Sequence, residues 1–295
     1  MSGGKVWVVT GASRGIGAAI ARVAVAAGHQ VALIARGDNV ATVAEELGEA
    51  ATGFQCNVAD PESVATTIEA IKHHYGRIDT LVNNAGVHRG GKVLRLTDEA
   101  WHEVLQVNLT GAMNMTRAAL PHMAAGSAVI NVGAVVGFRG FPGDAAYASS
   151  KAGLSGLTKA LAIELAPKSI TANLVIPGLV MTEMTSELSE AALEKMTQQI
   201  PLRRFAEDQE IAEVVCWVAQ SRYMTGASMP ALAERNSASP PVTNGQNVPS
   251  TGRGSSSSTT SPPASAASAE SLRTNACPSL KAVSSRTGML DGVAA

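Results

Sequence analysis

The sequence predicts an α/β fold, with a doubly wound parallel sheet in a single domain. Up to about residue 230, short β-branched runs alternate with Ala-rich helical stretches. A glycine-rich turn joins the first apolar run to the first helical stretch. Aromatic residues account for only 3% of the chain, and small residues are abundant, which suits close packing of helices on a buried sheet. Strands that alternate with helices require βαβ crossovers, and these produce a parallel sheet.

Six strands are predicted from runs of apolar and β-branched residues. The first, KVWVVT, has the continuous apolar pattern of a strand that is buried on both faces. The last ends at Pro177-Gly178, a pair that stops a strand. In chain order, the predicted strands lie at 5–10, 30–36, within 52–58, at 78–86 (running into a loop), 127–133 and 170–178.

Four helices are predicted between these strands. Gly28 closes the first helix, as glycine often does at a helix C-terminus. Asp60 and Pro61 supply an N-cap and a first helical residue for the second. The predicted helices lie at 15–28, 60–76, roughly 98–123 and about 144–165.

The last part of the chain differs in composition from the rest. It is rich in Ser, Pro, Thr and Ala and has almost no hydrophobic periodicity, so it cannot bury enough apolar surface to fold. We therefore expect a folded domain over residues 1–232 and a disordered tail over residues 233–295.

Charge and composition exclude several classes of function. A net charge of −1 and a pI near 6.6 argue against capture of nucleic acid or of an anionic membrane surface. Cys56, Cys216 and Cys277 are far apart, so neither a disulfide framework nor a zinc site is expected. With no signal segment and no apolar run long enough to span a membrane, we expect a cytoplasmic protein.

The first glycine-rich turn is a candidate phosphate-binding loop. Gly11, Gly15 and Gly17 lie between a predicted buried strand and a predicted helix. Small residues let the backbone approach a pyrophosphate, and the N-terminus of a helix offers free N–H groups with a favourable dipole. The spacing G-x-x-x-G-x-G differs from the common dinucleotide fingerprint, and a simple tight turn is the alternative interpretation.

The end of the second predicted strand bears on cofactor choice. An acidic residue there would bind a ribose 2′-hydroxyl, but the chain has Ala35-Arg36 and no acidic residue before Asp38. Arg36, together with Arg14, could bind a 2′-phosphate through charge-assisted hydrogen bonds. The sequence therefore favours NADPH over NADH, although both arginines could also be solvated surface charges.

Five motifs occur in order along residues 4–229: TGASRGIG, NNAG, VNLTG, YASSK and PGLVMT. With these motifs the chain resembles the short-chain dehydrogenase/reductase family, which implies a Rossmann-type fold and an oxidoreductase activity. Within that family it is most similar to 3-oxoacyl-(acyl-carrier-protein) reductases and related carbonyl reductases, on the segments INVGAVVG, IPLRRF and YMTG.

The resemblance implies catalytic roles for Tyr147, Lys151 and Asn108. Tyr147 and Lys151 are four residues apart, so both side chains reach one face of a helix, and an ammonium there would lower the pKa of the phenol. Tyr147 would protonate the substrate carbonyl oxygen, Lys151 would bind the nicotinamide ribose, and Asn108 would hold a water molecule of a proton relay. A partly buried tyrosine beside a snorkelling lysine is the alternative.

The resemblance also implies a set of residues that contact NADPH or NADP⁺. Residues 183–200 would form a helical lid over the acyl pocket, although a plain amphipathic helix fits that segment equally well. The six histidines are interpreted as surface or loop residues, and no metal is expected. The predicted cofactor contacts are Gly11, Ser13, Arg14, Gly15, Ile16, Gly17, Arg36, Asn57, Val58, Asn84, Ala85, Gly86, Tyr147, Lys151, Pro177, Gly178, Val180 and Thr182.

Ala134 departs from the family pattern at a catalytic position. It lies where the family has a serine whose hydroxyl orients the substrate carbonyl, and a methyl group cannot donate that hydrogen bond. Loss of one such donor typically lowers the rate by about 10²–10³. We expect near-normal NADPH binding with reduced turnover, since Ser149 and Ser150 are not obvious substitutes.

Two further departures concern partners. Pro230 lies inside the expected last strand, so this edge should be unformed or short, which puts the expected homotetramer or homodimer in doubt. The family has two basic residues that would dock acyl carrier protein. Ala128 takes the place of the first and Lys168 roughly that of the second, so the docking site is weakened.

The sequence thus predicts an NADPH-dependent reductase of a ketone, either a 3-oxoacyl thioester or a related carbonyl, impaired by Ala134. The alternative is a non-catalytic NADPH-binding or scaffold subunit that partners an active homologue. A steroid or sugar-alcohol dehydrogenase would differ only in the lid.

Overall fold

A computed structural model of the protein describes residues 4–181 and 190–233. Within these ranges the chain forms a seven-stranded, wholly parallel sheet with the strand order β3-β2-β1-β4-β5-β6-β7. The doubly wound Rossmann-type prediction is therefore confirmed. The strands are β1 (Val6–Thr10), β2 (Gln30–Ala35), β3 (Ala51–Gln55), β4 (Thr80–Asn83), β5 (Ala128–Val132), β6 (Thr171–Pro177) and β7 (Ser228–Ala231).

Helices connect the strands and flank the sheet. The predicted segment 98–123 is not one α-helix, because the π-helical turn Gln106–Thr110 separates α4 from α5 and the 3₁₀ turn Leu120–His122 ends it. The helices are α1 (Gly15–Ala26), α2 (Val40–Leu47), α3 (Pro61–Tyr75), α4 (Asp98–Leu105), α5 (Gly111–Ala119), α6 (Val136–Arg139), α7 (Ala145–Leu165), α8 (Glu190–Gln199) and α9 (Asp208–Gln220).

Sequence patterns missed three of these helices and located part of another. Helices α2, α6 and α9 were not predicted; α2 and α6 are short, and neither has a side-chain cap to mark its start. The predicted lid at 183–200 contains α8, but residues 182–189 lie outside the described residues. Among the residues that the structure describes, none of the helices combines the length and the hydropathy needed to span a bilayer.

Both faces of the sheet are buried. In β1, Trp7 and Val9 pack into a core cluster that also contains Ile20 of α1. The intervening Val8 packs on the other face, with residues such as Ile68 of α3. Burial on both faces explains why β1 reads as a continuous apolar run rather than an alternating one.

The winding of the chain creates a crevice at one edge of the sheet. The chain proceeds outward from β1 to β2 and β3, and then returns to place β4 on the other side of β1. The loops that follow β1 and β4 therefore diverge to opposite sides at the carboxyl ends of adjacent strands. In open parallel sheets, ligands bind at this switch point.

The last strand forms despite its proline, but it has only four residues. Pro230 pairs in register with Ile176 on the outer edge of the sheet, where the lost N–H costs little. The carbonyl oxygens of Ala227 and Ala231 accept hydrogen bonds from the N–H groups of Leu174 (2.9 Å) and Gly178 (3.1 Å). Of the two expected outcomes for this edge, the structure shows the short strand.

A buried polar ladder connects the central strands to the helices beside them. The Nδ2 atom of Asn83 donates to Asn131 Oδ1 (2.9 Å) and to Thr116 Oγ1 (3.0 Å). Asn131 Nδ2 in turn donates to Thr158 Oγ1 of α7 at 2.8 Å. All four residues are buried, so this ladder fixes α5 and α7 against the sheet.

Replacing Asn131 should destabilise the fold. In Asn131→Ala, the Asn83 and Thr158 side chains lose a buried partner, and we expect the free energy of unfolding to fall by about 3 kcal/mol. Urea denaturation measures this change. Thr52→Val is the control, because its hydroxyl lies 3.4 Å from His74 Nε2 near the surface, and it should change stability by less than about 0.5 kcal/mol. Equal effects of the two substitutions would contradict the role of the ladder.

Candidate active site

The glycine-rich turn is packed tightly against the end of β4. Gly11 and Gly15 have φ values of +65° and +53°, which favour glycine. A β-carbon on Gly17 would lie 2.2 Å from the carbonyl oxygen of Gly11, so no larger residue fits there. The Asn84 Nδ2 group donates to the carbonyl oxygens of Thr10 (3.0 Å) and Gly11 (3.2 Å). Asn84 therefore holds the loop to the switch point.

Thr10 is a site residue that sequence reasoning did not single out. Its buried hydroxyl accepts from the backbone N–H groups of Asn84 (2.9 Å) and Ala85 (3.0 Å) and donates to the carbonyl oxygen of Val82 (3.2 Å). This one side chain fastens β1 to the loop after β4. Its signal in the sequence was its place as the first residue of TGASRGIG.

The residues at the start of α1 suit a pyrophosphate. No side chain caps this N-terminus, and no acidic residue lies in its first turn. The backbone N–H groups of a 12-residue helix and its dipole are thus directed at the crevice, where the tight glycine loop allows close approach. Ser13, Arg14 and Ile16, predicted as cofactor contacts, lie in this turn.

Three predicted cofactor contacts, Arg36, Asn57 and Val58, follow β2 and β3. Arg36 is exposed directly after β2, and its carbonyl oxygen accepts from Gln55 Nε2 at 2.9 Å. Asn57 lies after β3, where its backbone N–H donates to Ser63 Oγ at 3.1 Å. The buried Val58 accepts at its carbonyl oxygen from Asn114 Nδ2, also at 3.1 Å. All three residues lie at the same carboxyl edge as the glycine loop.

Lys151, Asn108 and Gly86 converge in one small volume. A β-carbon on Gly86 would lie 3.4 Å from Asn108 Oδ1 and 3.5 Å from Lys151 Nζ. Lys151 Nζ lies 5.7 Å from the centre of the Tyr147 ring and donates to the carbonyl oxygen of Val132 at 2.9 Å. The structure thus brings together the residues that the separate motifs NNAG, VNLTG and YASSK contribute.

The π-helical turn between α4 and α5 carries Asn108. π-Helical turns are often found at functional sites. Asn108 Oδ1 accepts from the Val87 N–H at 2.7 Å, and its Nδ2 donates to the Val87 carbonyl oxygen at 3.0 Å. The same Nδ2 donates to Ser150 Oγ (3.1 Å), which donates to the carbonyl oxygen of Tyr147 (2.7 Å). Ser150 therefore positions Asn108, a role that the sequence did not indicate.

Burial opposes ionisation of both Tyr147 and Lys151. Burial, and then the carboxylate of Asp144, raise the pKa of Tyr147 to about 12. Burial also lowers the pKa of Lys151 to about 8. The sequence predicted a lowered tyrosine pKa, so this prediction is wrong for the protein alone: desolvation outweighs the attraction of an ammonium that itself lies in the interior.

Ala134 follows β5 in a loop fixed by its neighbours. The N–H groups of Gly133 and Val135 donate to the carbonyl oxygens of Val175 (2.8 Å) and Pro177 (2.9 Å). Ser149 is exposed, and the Ser150 hydroxyl is occupied by the Asn108 and Tyr147 contacts, so neither supplies the missing hydroxyl here.

The remaining predicted cofactor contacts lie at the end of β6, where Pro177 is the last residue, and in the segment that follows it. Gly178 donates from its N–H to Ala231 in β7, and Val180 forms a bridge to Ala206. Thr182 lies outside the described residues. In residues 4–181 and 190–233, no group of three His, Cys, Asp or Glu side chains is arranged to hold a metal ion.

His88, interpreted from the sequence as a surface or loop residue, lies in the loop after β4 and also contacts the site. Its side chain is 33% exposed, and its ring meets the Tyr147 ring edge-on with 5.2 Å between the ring centres. Its Nε2 atom lies 2.8 Å from Asp144 Oδ1. Its position two residues after NNAG was the signal in the sequence.

Comparison with known proteins establishes the class. Residues 11–231 match the family model described as enoyl-(acyl carrier protein) reductase. The chain belongs to the short-chain dehydrogenase/reductase family, and it is an oxidoreductase of that class.

Individual relatives show which members of the family the chain is similar to. The chain is 39% identical over 231 residues to the 3-oxoacyl-(acyl-carrier-protein) reductase FabG of Escherichia coli (strain K12), a match that covers 77% of this chain and 95% of that one. The FabG reductase of Staphylococcus aureus (strain N315) is 40% identical over 234 residues, covering 76% and 95%.

Solved structures agree with this assignment. A blue fluorescent protein from a metagenomic library, in complex with NADPH, has a TM-score of 0.74 at 33% identity and covers 78% of this chain and 97% of its own. A short-chain dehydrogenase/reductase variant from Serratia marcescens has a TM-score of 0.73 at 36% identity, covering 77% and 96%.

The lowered pKa of Lys151 predicts how stability depends on pH. Between about pH 8 and about pH 10.5 the folded protein loses this proton while the unfolded chain keeps it, so stability rises with pH. Lys151→Met has no ammonium at this position, so its stability lacks this dependence on pH. Without cofactor, we expect the variant to be more stable than the unaltered chain by about 2 kcal/mol at about pH 7. This figure is the relieved cost of burying the ammonium less the free energy of the lost hydrogen bond to Val132.

Urea denaturation across this pH range tests the prediction. The stability difference between Lys151→Met and the unaltered chain should shrink as the pH rises. Lys159→Met, on an exposed position of the same helix, is the matched control. A difference that stays constant with pH would contradict the predicted cost of burying the Lys151 ammonium.

Proposed function

We propose that this chain catalyses the NADPH-dependent reduction of a ketone, either a 3-oxoacyl thioester or a related carbonyl compound, to a hydroxyl group. The observation that carries this proposal is the convergence of Lys151, Asn108 and Gly86 beside the Tyr147 ring at the switch point of the sheet. The names of the FabG relatives support the choice of substrate class.

NADPH supplies a hydride when bound, and the chain's own residues bind it and deliver a proton. The glycine loop and the N-terminus of α1 hold the pyrophosphate, and the residues after β4 and β6 line the path to the nicotinamide. Tyr147 donates its proton to the carbonyl oxygen as the alcohol forms. Its pKa of about 12 ensures that the hydroxyl carries this proton at neutral pH.

Lys151 and Asn108 support the proton transfer. The Val132 carbonyl oxygen fixes the Lys151 ammonium beside the tyrosine, where it binds the nicotinamide ribose and stabilises the phenolate that remains after transfer. Asn108, fixed by Val87 and Ser150, sits on the route by which a proton returns to Tyr147 from solvent.

Ala134 leaves the carbonyl oxygen with one donor fewer than the family pattern provides. Turnover is therefore slow, while NADPH binding is near normal, because Ala134 belongs to the substrate side of the site. The substrate carbonyl enters the site as a free or CoA-bound compound rather than on a docked acyl carrier protein. Ala128 is buried and offers no docking charge, which leaves the exposed Lys168.

Ala134→Ser should restore turnover. The added hydroxyl supplies a hydrogen-bond donor to the carbonyl oxygen, and we expect kcat to rise by about 10²–10³ with little change in NADPH affinity. Steady-state reduction of a 3-oxoacyl thioester measures kcat, and NADPH fluorescence titration measures affinity. Ala134→Gly is the control, because it changes the same position without adding a donor.

Two outcomes would overturn parts of this proposal. An unchanged rate in Ala134→Ser, with measurable turnover in both proteins, would remove the explanation based on the missing serine. Tight NADPH binding with no turnover in either protein would instead favour a non-catalytic cofactor-binding or scaffold subunit.

Arg36 should set the preference for NADPH. Arg36→Asp replaces a cation that can bind a 2′-phosphate with an acid that can accept from a 2′-hydroxyl, so NADPH affinity should fall and NADH affinity rise. We expect the ratio of the two affinities to change by about 100-fold. Fluorescence titration with each cofactor measures the ratio, and Arg22→Ala on α1 serves as a charge control. A constant ratio would contradict the role of Arg36.

A further inference from the structure

His88 and Asp144 form a hydrogen-bonded pair against the Tyr147 ring. His88 Nε2 lies 2.8 Å from Asp144 Oδ1, and the imidazole meets the phenol ring at an interplanar angle of 83°. The Asp144 side chain is only 15% exposed. A histidine with a partly buried carboxylate partner is held in one orientation, and its ring then limits where the Tyr147 ring can lie.

The backbone holds the two partners together. The Gly91 N–H donates to the carbonyl oxygen of Gly143 at 2.8 Å, which joins the loop after β4 to the loop before α7. Asp144 also accepts at its carbonyl oxygen from the Ala148 N–H, 2.7 Å away, in the first turn of α7. The pair therefore bridges the two loops that border Tyr147, and it does so independently of any cofactor contact.

The charges around His88 make it responsive to Asp144. A hydrogen bond to Asp144 is the largest cause that raises the pKa of His88 above 6.5, against burial and the nearby Arg89. Arg89 is itself paired with Glu103 at 2.8 Å. Asp144 also acts on the phenol, whose pKa its negative charge raises. The positively charged group beside Tyr147 is Lys151 Nζ, 5.7 Å from the ring centre.

We propose that His88 and Asp144 are positioning residues that fix the Tyr147 ring and couple its readiness to donate a proton to the protonation state of His88. The second half of this statement rests on the proposed role of Tyr147 as proton donor. Neither residue belongs to a motif on which the resemblance to the family depends.

The sign of the coupling follows from the charges. When His88 is protonated, its positive charge offsets the Asp144 carboxylate, so Tyr147 experiences less negative charge and is the stronger acid. When His88 loses its proton, the carboxylate acts on Tyr147 uncompensated and the phenol becomes a weaker acid. The rate of carbonyl reduction should therefore have a component that increases as the pH falls through the His88 midpoint. This midpoint lies above 6.5.

A titration followed by nuclear magnetic resonance tests the pair without requiring turnover. The chain has six histidines and three tyrosines, so the His88 and Tyr147 ring signals can be assigned from their loss in His88→Gln and Tyr147→Phe. We expect a His88 midpoint above 6.5 and a Tyr147 ring shift with the same midpoint. In Asp144→Asn the His88 midpoint should fall, and the midpoint of the Tyr147 shift should fall with it.

A matched set of variants separates the hydrogen bond, the ring contact and the charge. His88→Gln keeps an N–H donor for Asp144 but loses the ring, His88→Phe keeps the ring but not the donor, and Asp144→Asn keeps an acceptor without the charge. Measured in the Ala134→Ser background, kcat should fall on the order of tenfold in His88→Gln, because the Tyr147 ring loses its support. The pH-dependent component of kcat/KM should vanish in both His88 variants and move to lower pH in Asp144→Asn.

The controls distinguish this proposal from the proposed function. His73→Gln, exposed on α3, should leave the pH profile unchanged. A Tyr147 signal that does not move with the His88 midpoint, or a pH component that persists in His88→Gln, would overturn the coupling. If the coupled titration is seen but no carbonyl is reduced, the positioning pair stands and the reductase assignment is wrong.

Discussion

The buried ammonium of Lys151 is the constraint around which the rest of the site is arranged. Burial lowers its pKa to about 8, so holding it as a cation costs folding free energy. The Val132 carbonyl oxygen at the end of β5 partly offsets this cost with a 2.9 Å hydrogen bond. A β-carbon at position 86 would lie 3.5 Å from the Nζ atom of Lys151, at ordinary van der Waals distance. In the proposed reaction this charge binds the nicotinamide ribose and supports the proton transfer.

The site also shows how one absent donor and one unusual pair can coexist. In the proposed reaction, Ala134 leaves out a hydroxyl that would bind the carbonyl oxygen, whereas His88, paired with Asp144, adds a titratable contact to the Tyr147 ring. The first change concerns stabilisation of the carbonyl oxygen, and the second concerns the position and acidity of the phenol. These effects act on different atoms of the same proton transfer, so their consequences for rate and for pH dependence can be separated.

Local patterns predicted much of the fold and the cofactor loop. Strand β1 was recognisable because burial on both faces requires an uninterrupted apolar run, and α3 because Asp60 accepts from the Glu62 N–H at its start. The π-helical turn at Asn108 was not predictable, since its extra residue is compensated by contacts to Val87 and Ser150 from other elements. The role of Thr10 was not predictable either, because its hydroxyl contacts residues of the loop after β4 that lie far away along the chain.

The sequence by itself determined the family, the order of the elements and the identity of the residues around the crevice, because these depend on periodicity, glycine positions and motif spacing. Only the tertiary structure decided the proton affinities and the contacts of His88. Desolvation reversed the expected direction of the Tyr147 pKa, and the partner of His88 lies 56 residues away along the chain. Electrostatic effects depend on distance in space and on burial, and neither is encoded in local sequence.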